Sequence, residues 1–323
     1  FFSTLINPLL INDKKDLNLN AANYFNNFGY NDLNETFYKG VFKVLPGELL
    51  IYRDKKLTKR KFLNYDFKSN KGLSNEFIKE KIKDIIKKQT VSDVPIALSL
   101  SGGIDSNILL GNINKPLKTY SASFSYNNNK NLDSIFAAQR AAEYKTEHNE
   151  INISDDDFMD SLEVINDLLE EPIGNENSVG NYFLSKNIKE KVLLVGDGGD
   201  EIFTGYDKYR SIYFFSVLNK INFLKFLKPN SNNKNLDRFF FSSSNDMHLS
   251  FSNQNLLNNK NNYKYYNQIR SDEVNFNHFN KKNSDLSLEN VMLADIDTWV
   301  QNDVLLRNDK IYMNKGMKLE FLI

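Results

Sequence analysis

The sequence predicts an α/β fold, a parallel sheet with helices on both faces, preceded by a small β-rich piece. Three observations carry this. Short apolar runs alternate with helical patterns between Val94 and Val195. Two of those runs lead straight into glycine-rich acidic loops, the position where open α/β sheets bind ligands. The first 66 residues lack the alternation and read as short strands and turns.

Taken in order, Tyr38-Lys39-Gly40-Val41-Phe42-Lys43-Val44 alternates, Pro46-Gly47 marks a turn, and Leu49-Leu50-Ile51-Tyr52 is an apolar run. A β-hairpin is expected there, closing a domain whose beginning lies outside this sequence. Lys68-Ser69-Asn70-Lys71-Gly72 reads as a linker, so the expected domains are 1–66 and 67–323. Ser74 fits the N-cap of a helix that carries Ile78, Ile82, Ile85 and Ile86 on one face. Val94 to Leu100 is a short apolar strand, followed by a helix over Asn107 to Ile113. Thr119 to Phe124 is a second strand, with a helical pattern from Asp133 to Lys145 behind it. Glu150 to Ile153 is a third strand, and the next helix lines up Phe158, Leu162, Ile165 and Leu169. Lys191 to Val195 is the fourth strand. The asparagine-rich runs near Pro229 and Asn258 read as surface loops, and no fixed-period repeat appears.

Composition narrows the function classes. Lysine plus arginine total 41 and aspartate plus glutamate total 41, so nothing signals a nucleic-acid partner or a solvating acidic tail. With 41% hydrophobic and 25% charged residues the chain is ordinary for a globular protein. It has no cysteine, which excludes disulfides, thiolate metal sites and a cysteine nucleophile within this stretch. No apolar run approaches the ~18 residues of a membrane span. The start, Phe1-Phe2-Ser3-Thr4, shows no signal pattern, and a piece of a longer cytoplasmic chain is the expectation.

Ser101-Gly102-Gly103-Ile104-Asp105-Ser106 sits between a buried strand and a helix. Two glycines let the backbone turn sharply and approach a phosphate closely. Backbone N–H groups and the helix start then face the anion, and Ser101 and Ser106 add hydroxyls. Asp105 would be repelled by a bare phosphate, so it makes sense with a magnesium ion between them. No lysine follows the glycines, so this is not a Walker loop. Gly196-Asp197-Gly198-Gly199-Asp200-Glu201 follows the fourth strand. Like charges this dense repel unless a cation is present. Taken with the first loop, the reading is a two-carboxylate magnesium site, Asp105 and Asp200, holding a pyrophosphate.

These two loops resemble the N-type ATP pyrophosphatases, and specifically the asparagine synthetase family. The second motif extends through Ile202-Phe203-Thr204-Gly205-Tyr206. Glu171-Pro172 with Ser178, and Asn308-Asp309-Lys310-Ile311-Tyr312-Met313 with Gly316, resemble further family segments. Residues 1–66, with Lys39-Gly40 and Pro46-Gly47, resemble the last part of its glutaminase domain. The resemblance implies an adenine-nucleotide-hydrolase-like, Rossmann-like synthetase domain using ATP and Mg2+. It implies that aspartate is converted to aspartyl-AMP and then, by ammonia, to asparagine. Ser101, Gly102, Gly103 and Ser106 would hold phosphates; Ala122, Val195 and Gly196 would line the nucleotide. Asp105 and Asp200 would hold the metal, Asp197 would serve substrate and intermediate, and Lys310 would neutralise charge at the α-phosphate. A homodimer, with neither nucleic acid nor membrane as partner, completes the expectation. Two other readings stay open: an amidotransferase acting on another carboxylate, such as a sugar acid, and a non-catalytic paralogue. The family pattern has its acidic and basic positions exchanged here, as Lys318 and Glu320.

Overall fold

The computed structural model describes residues 1–11, 16–31, 34–63, 72–113, 115–126, 129–172, 174–210, 212 and 288–321. The described chain falls into two compact units, one from the described parts of 1–67 and 201–303, the other from those of 68–200 and 304–323. The expected linker and the asparagine-rich runs lie mostly or wholly outside the described residues.

In the first unit, two helices join the small β-sheet expected within 1–66. Helix α1 (Asn7–Leu10) and helix α2 (Leu19–Phe28) come first. Asn18 caps α2 by accepting from the Asn20 and Ala21 amides, and Gly29 closes it at φ 77°. The expected strand at 38–44 makes only two isolated bridges, Leu17 with Tyr38 and Glu35 with Phe42. The Thr36 hydroxyl lies 2.8 Å from the Val41 carbonyl and 3.1 Å from that of Tyr38, so a side chain takes acceptors that a ladder would need. The hairpin forms one step later. β1 (Glu48–Arg53) pairs antiparallel with β2 (Lys56–Lys61), Glu48 opposite Lys61 and Arg53 opposite Lys56. Asp54 and Lys55 make the turn at φ 51° and 58°, the sign that a tight hairpin requires.

The second unit is the expected α/β fold. α3 (Asn75–Gln89) starts at Ser74, whose hydroxyl accepts from the Phe77 amide at 3.1 Å. Then come β3 (Ile96–Ser99), α4 (Ile104–Asn112), β4 (Lys118–Tyr126), β5 (Asn129–Lys130) and α5 (Leu132–Glu143). β6 (Glu147–Ile153), α6 (Asp155–Leu169), α7 (Asn177–Asn187), β7 (Val192–Val195) and α8 (Gly199–Phe203) follow. After α9 (Leu288–Asp295) and a π-helical stretch (Ile296–Leu305), α10 (Leu306–Met313) leads into β8 (Lys318–Phe321).

The main sheet is parallel in the order β6-β4-β3-β7-β8; β5 only folds back antiparallel on the end of β4. Strand alternation divides the core between two faces. Leu98, Leu100 and Leu194 pack with Ile86 of α3, Leu109 of α4 and Ala137 of α5. Ala97, Leu193 and Val195 pack with Ile165 of α6, Val179 of α7 and Ile311 of α10. From β3 the chain builds outward to β4 and β6, then returns to lay β7 on the other side. The strand order therefore reverses between β3 and β7, where such sheets bind ligands beyond their carboxyl ends. No helix among the described residues is long and apolar enough to cross a membrane.

Candidate functional site

Both glycine-rich loops leave the sheet at this reversal. The Leu100 amide still donates to the Tyr120 carbonyl at 2.8 Å, and the backbone then turns at Ser101-Gly102-Gly103. At Gly102 a Cβ would meet Phe136 Cβ at 2.8 Å, so α5 packs directly on the turn. Gly103 is the N-cap of α4, and no side chain caps that helix. That leaves the kind of helix start that suits an anion. The two serines differ. Ser101 is exposed, while Ser106 is 2% exposed and points back into the loop. The Ser106 hydroxyl accepts from the Ser101 amide at 3.2 Å and reaches the Ser101 and Gly103 carbonyls at 3.0 and 3.2 Å. Ser106 thus shapes the loop from within, and Ser101 is the serine open to a ligand.

The second loop meets the first at Asp105. A Cβ on Gly196 would lie 2.9 Å from the Ser106 amide nitrogen, and one on Gly199 would lie 2.5 to 2.6 Å from the Asp105 carboxylate atoms. Only glycine allows an approach this close. Asp197 and Asp200 are half-buried beside it. Burial, then the charge of Asp200, then that of Asp197, push the Asp105 carboxyl above its ordinary range. Charges that disfavour one another in this way fit a cation. No group of three or more His, Cys, Asp or Glu among the described residues is arranged to hold a metal by itself. Asp105 and Asp200 would therefore need a ligand's oxygens to complete a metal's shell.

Other expected residues are placed differently. Val195 is 5% exposed and belongs to the core on the α6, α7 and α10 face, so its main chain is what it can offer a ligand. Ala122, on β4, faces the same side, where a Cβ on Gly180 of α7 would meet it at 3.6 Å. Ser178 turns its hydroxyl to the Asn175 carbonyl at 2.7 Å. The Lys310 ammonium is engaged by the end of α6. It donates to the Leu169 carbonyl at 2.7 Å and to Glu170 at 2.8 Å, and the two side chains are 8% and 3% exposed. Lys318 and Glu320 pair with each other at 2.6 Å on β8. Residues two apart share a strand face, so either order of the two charges can make that pair.

Sequence reasoning assigned no role to four buried or part-buried residues of α7 and α10. Asn308, 1% exposed, donates from Nδ2 to Asp197 Oδ2 at 2.6 Å. Asn181 donates to Asn308 Oδ1 at 2.5 Å, and Tyr312 donates to Asn181 Oδ1 at 3.4 Å. Arg307 is 3% exposed on the same helix. Burial first and the Asp197 charge second push the Tyr312 phenol far up, with Arg307 opposing. The four-residue spacing of Asn308 and Tyr312 on one helix face was a signal within reach; Asn181 had none.

A family model described as asparagine synthase matches residues 78–321, well over half of the chain. The chain belongs to the asparagine synthase family. The match runs from α3 to β8 and so includes both loops and α10. A Methanocaldococcus jannaschii protein is 27% identical over 230 residues, covering 68% of this chain and 44% of its own length. Asparagine synthetase (glutamine-hydrolysing) 1 of Bacillus subtilis is 26% identical over 301 residues, 86% of this chain and 47% of that protein. The amidase chry2 of Gibberella zeae is 26% identical over 205 residues, 54% of this chain and 30% of its own. The chain spans less than half the length of each. In this chain the second motif continues into the first unit, where the Tyr206 hydroxyl donates to Glu201 at 2.9 Å.

Proposed function

We propose that this chain carries the ATP-dependent ligase centre of its family, activating a carboxylate as an acyl-adenylate that ammonia converts to an amide. The observation that supports the reading best is the meeting of the two glycine-rich loops at Asp105, at the reversal of the sheet, in a contact closed to any side chain at Gly199. In this reading the loop over Ser101, Gly102 and Gly103 receives the phosphates, with Ser106 fixing its shape. Gly196 and the main chain at Ala122 and Val195 border the nucleotide. Asp105 and Asp200 would hold magnesium, which when bound neutralises the charge of the leaving pyrophosphate. The substrate carboxylate attacks the α-phosphorus and pyrophosphate departs with the electrons of the broken P–O bond. Lys310, exchanging Glu170 for the phosphoryl oxygens, would balance the charge that builds there. Ammonia then adds to the acyl carbon, AMP leaves, and Asp197 would accept the proton lost from nitrogen.

Aspartate is the leading substrate, giving asparagine, and a cytoplasmic setting follows from such substrates. The similarity to a protein described as an amidase leaves room for a second reading, the same chemistry on another carboxylate such as a sugar acid. ATP–pyrophosphate exchange with magnesium and a panel of carboxylates, aspartate and sugar acids among them, separates the two. Exchange stimulated by aspartate alone supports the first reading, and exchange stimulated by a different acid supports the second. Tight ATP binding without exchange on any carboxylate would overturn the ligase reading in favour of a non-catalytic paralogue.

A further inference from the structure

We propose that Asn308, backed by Asn181 and Tyr312, is a positioning residue that sets the orientation of Asp197 for the amide-forming half of the reaction. The inference rests on the ligase reading above. Its basis is the direction of three hydrogen bonds. Asn308 Nδ2 donates to the Asp197 carboxylate at 2.6 Å, so its Oδ1 faces the other way and accepts from Asn181 Nδ2 at 2.5 Å. Asn181 Oδ1 is then turned to the Tyr312 hydroxyl at 3.4 Å. The Tyr312 hydroxyl donates at one end of the run, and a carboxylate oxygen of Asp197 accepts at the other. With both ends fixed, neither amide can flip without placing oxygen against oxygen.

Asn308 and Tyr312 are each 1% exposed, so water does not compete for these groups. Such a run of aligned donors polarises along its length and is stiffer than one bond alone. Its charged end is Asp197 and its other members lie on α7 and α10, two packed helices. The carboxylate of a glycine-flanked loop residue is thereby referenced to the rigid body of the domain. When nitrogen bonds to the acyl carbon and the carbon–oxygen bond to AMP breaks, one N–H proton must pass to a base. The relay holds the Asp197 carboxylate oriented for that transfer. Adenylation needs no such proton acceptor, because a carboxylate attacks and pyrophosphate leaves.

The test compares two half-reactions in the full chain with ATP, magnesium, ammonium and the carboxylate that stimulates exchange. Asn308→Leu keeps the volume and removes the amide. Its rate of amide formation should fall at least tenfold more than its rate of pyrophosphate exchange, the loss expected for one hydrogen bond to a charged group. Asn308→Gln, which retains the donor and acceptor, should recover part of that loss, and Asn181→Leu should add little on top of Asn308→Leu. Equal losses in both half-reactions, or no recovery in Asn308→Gln while it unfolds at the wild-type temperature, would overturn the positioning role alone. A wild-type chain without exchange on any carboxylate would instead strike the ligase reading, and this inference with it.

Discussion

Replacing Lys310 with methionine would take the cation at 2.8 Å away from the buried Glu170 carboxylate. The ammonium and carboxylate lie 2.8 Å apart with 8% and 3% of their side chains exposed. At an effective dielectric of about 20, that separation gives roughly 6 kcal/mol of attraction, set against the cost of taking both ions out of water. The net worth of the pair is therefore small, but the cost of breaking it is not. Losing one partner of a buried pair costs about 3–5 kcal/mol, a large share of the ~5–15 kcal/mol that holds a domain together. The Leu169 carbonyl also loses its donor, about 1 kcal/mol more. Lys310→Met should accordingly be destabilised by several kcal/mol in urea, and Glu170→Gln by a similar amount. The double variant should regain about 2 kcal/mol or more relative to the sum of the two. Because it is folded and neutral, it is the right protein in which to ask about catalysis. Its ATP–pyrophosphate exchange should fall about a hundredfold or more if the cation at 310 serves the adenylation transition state. Additive single-variant losses would refute the buried-pair argument. A folded double variant exchanging at the wild-type rate would refute a catalytic role for Lys310.

Asp105, raised above its ordinary 3.8, binds protons more readily in the folded than in the unfolded chain. Metal-free stability should therefore fall as pH rises through the window just above that value, and Asp105→Asn should flatten the slope and stabilise the metal-free protein near neutrality; urea unfolding in chelator across roughly pH 4 to 7 checks this. The same variant should lose most magnesium-dependent thermal stabilisation by ATP. Gly199→Ala drives a Cβ to 2.5 Å from the Asp105 carboxyl carbon, so it should cost about 1–3 kcal/mol and most exchange activity. In the first unit, Lys208 pairs with the fully buried Asp295 at 2.7 Å inside a ring of Tyr206, Tyr209 and Trp299. Asp295→Ala should lower stability by about 3–5 kcal/mol, and Lys208→Met in the same chain should recover part of it in thermal unfolding.

Much of the second unit was legible because its signals are local. The Ser74 cap, the isoleucines of α3, the apolar runs of β3 and β7 and the two glycine-rich loops each report on neighbours a few residues away. α7 escaped notice because Asn-Ser-Val-Gly-Asn lacks a clear apolar stripe, and its buried Gly180 works by letting the helix approach β4. β8 escaped because Lys318 and Glu320 look like surface charge, and only pairing with β7 makes that segment a strand. In the first unit, asparagines hid α2, although Asn18 and Gly29 bracket it with good caps.

The sequence alone determined the kind of fold, the two loops, the carboxylates at Asp105, Asp197 and Asp200, and the presence of a lysine at 310. Only the tertiary structure decided that β7 lies against β3, and hence that Gly199 closes on Asp105 across more than ninety residues of chain. It alone turned Lys310 to Glu170 and linked Asn181 and Asn308 to Asp197. Periodicity and capping record what each segment would bury or satisfy locally. Which segments satisfy one another is set by the register of parallel strands and by helix packing, energies that exist only once distant parts of the chain are in contact.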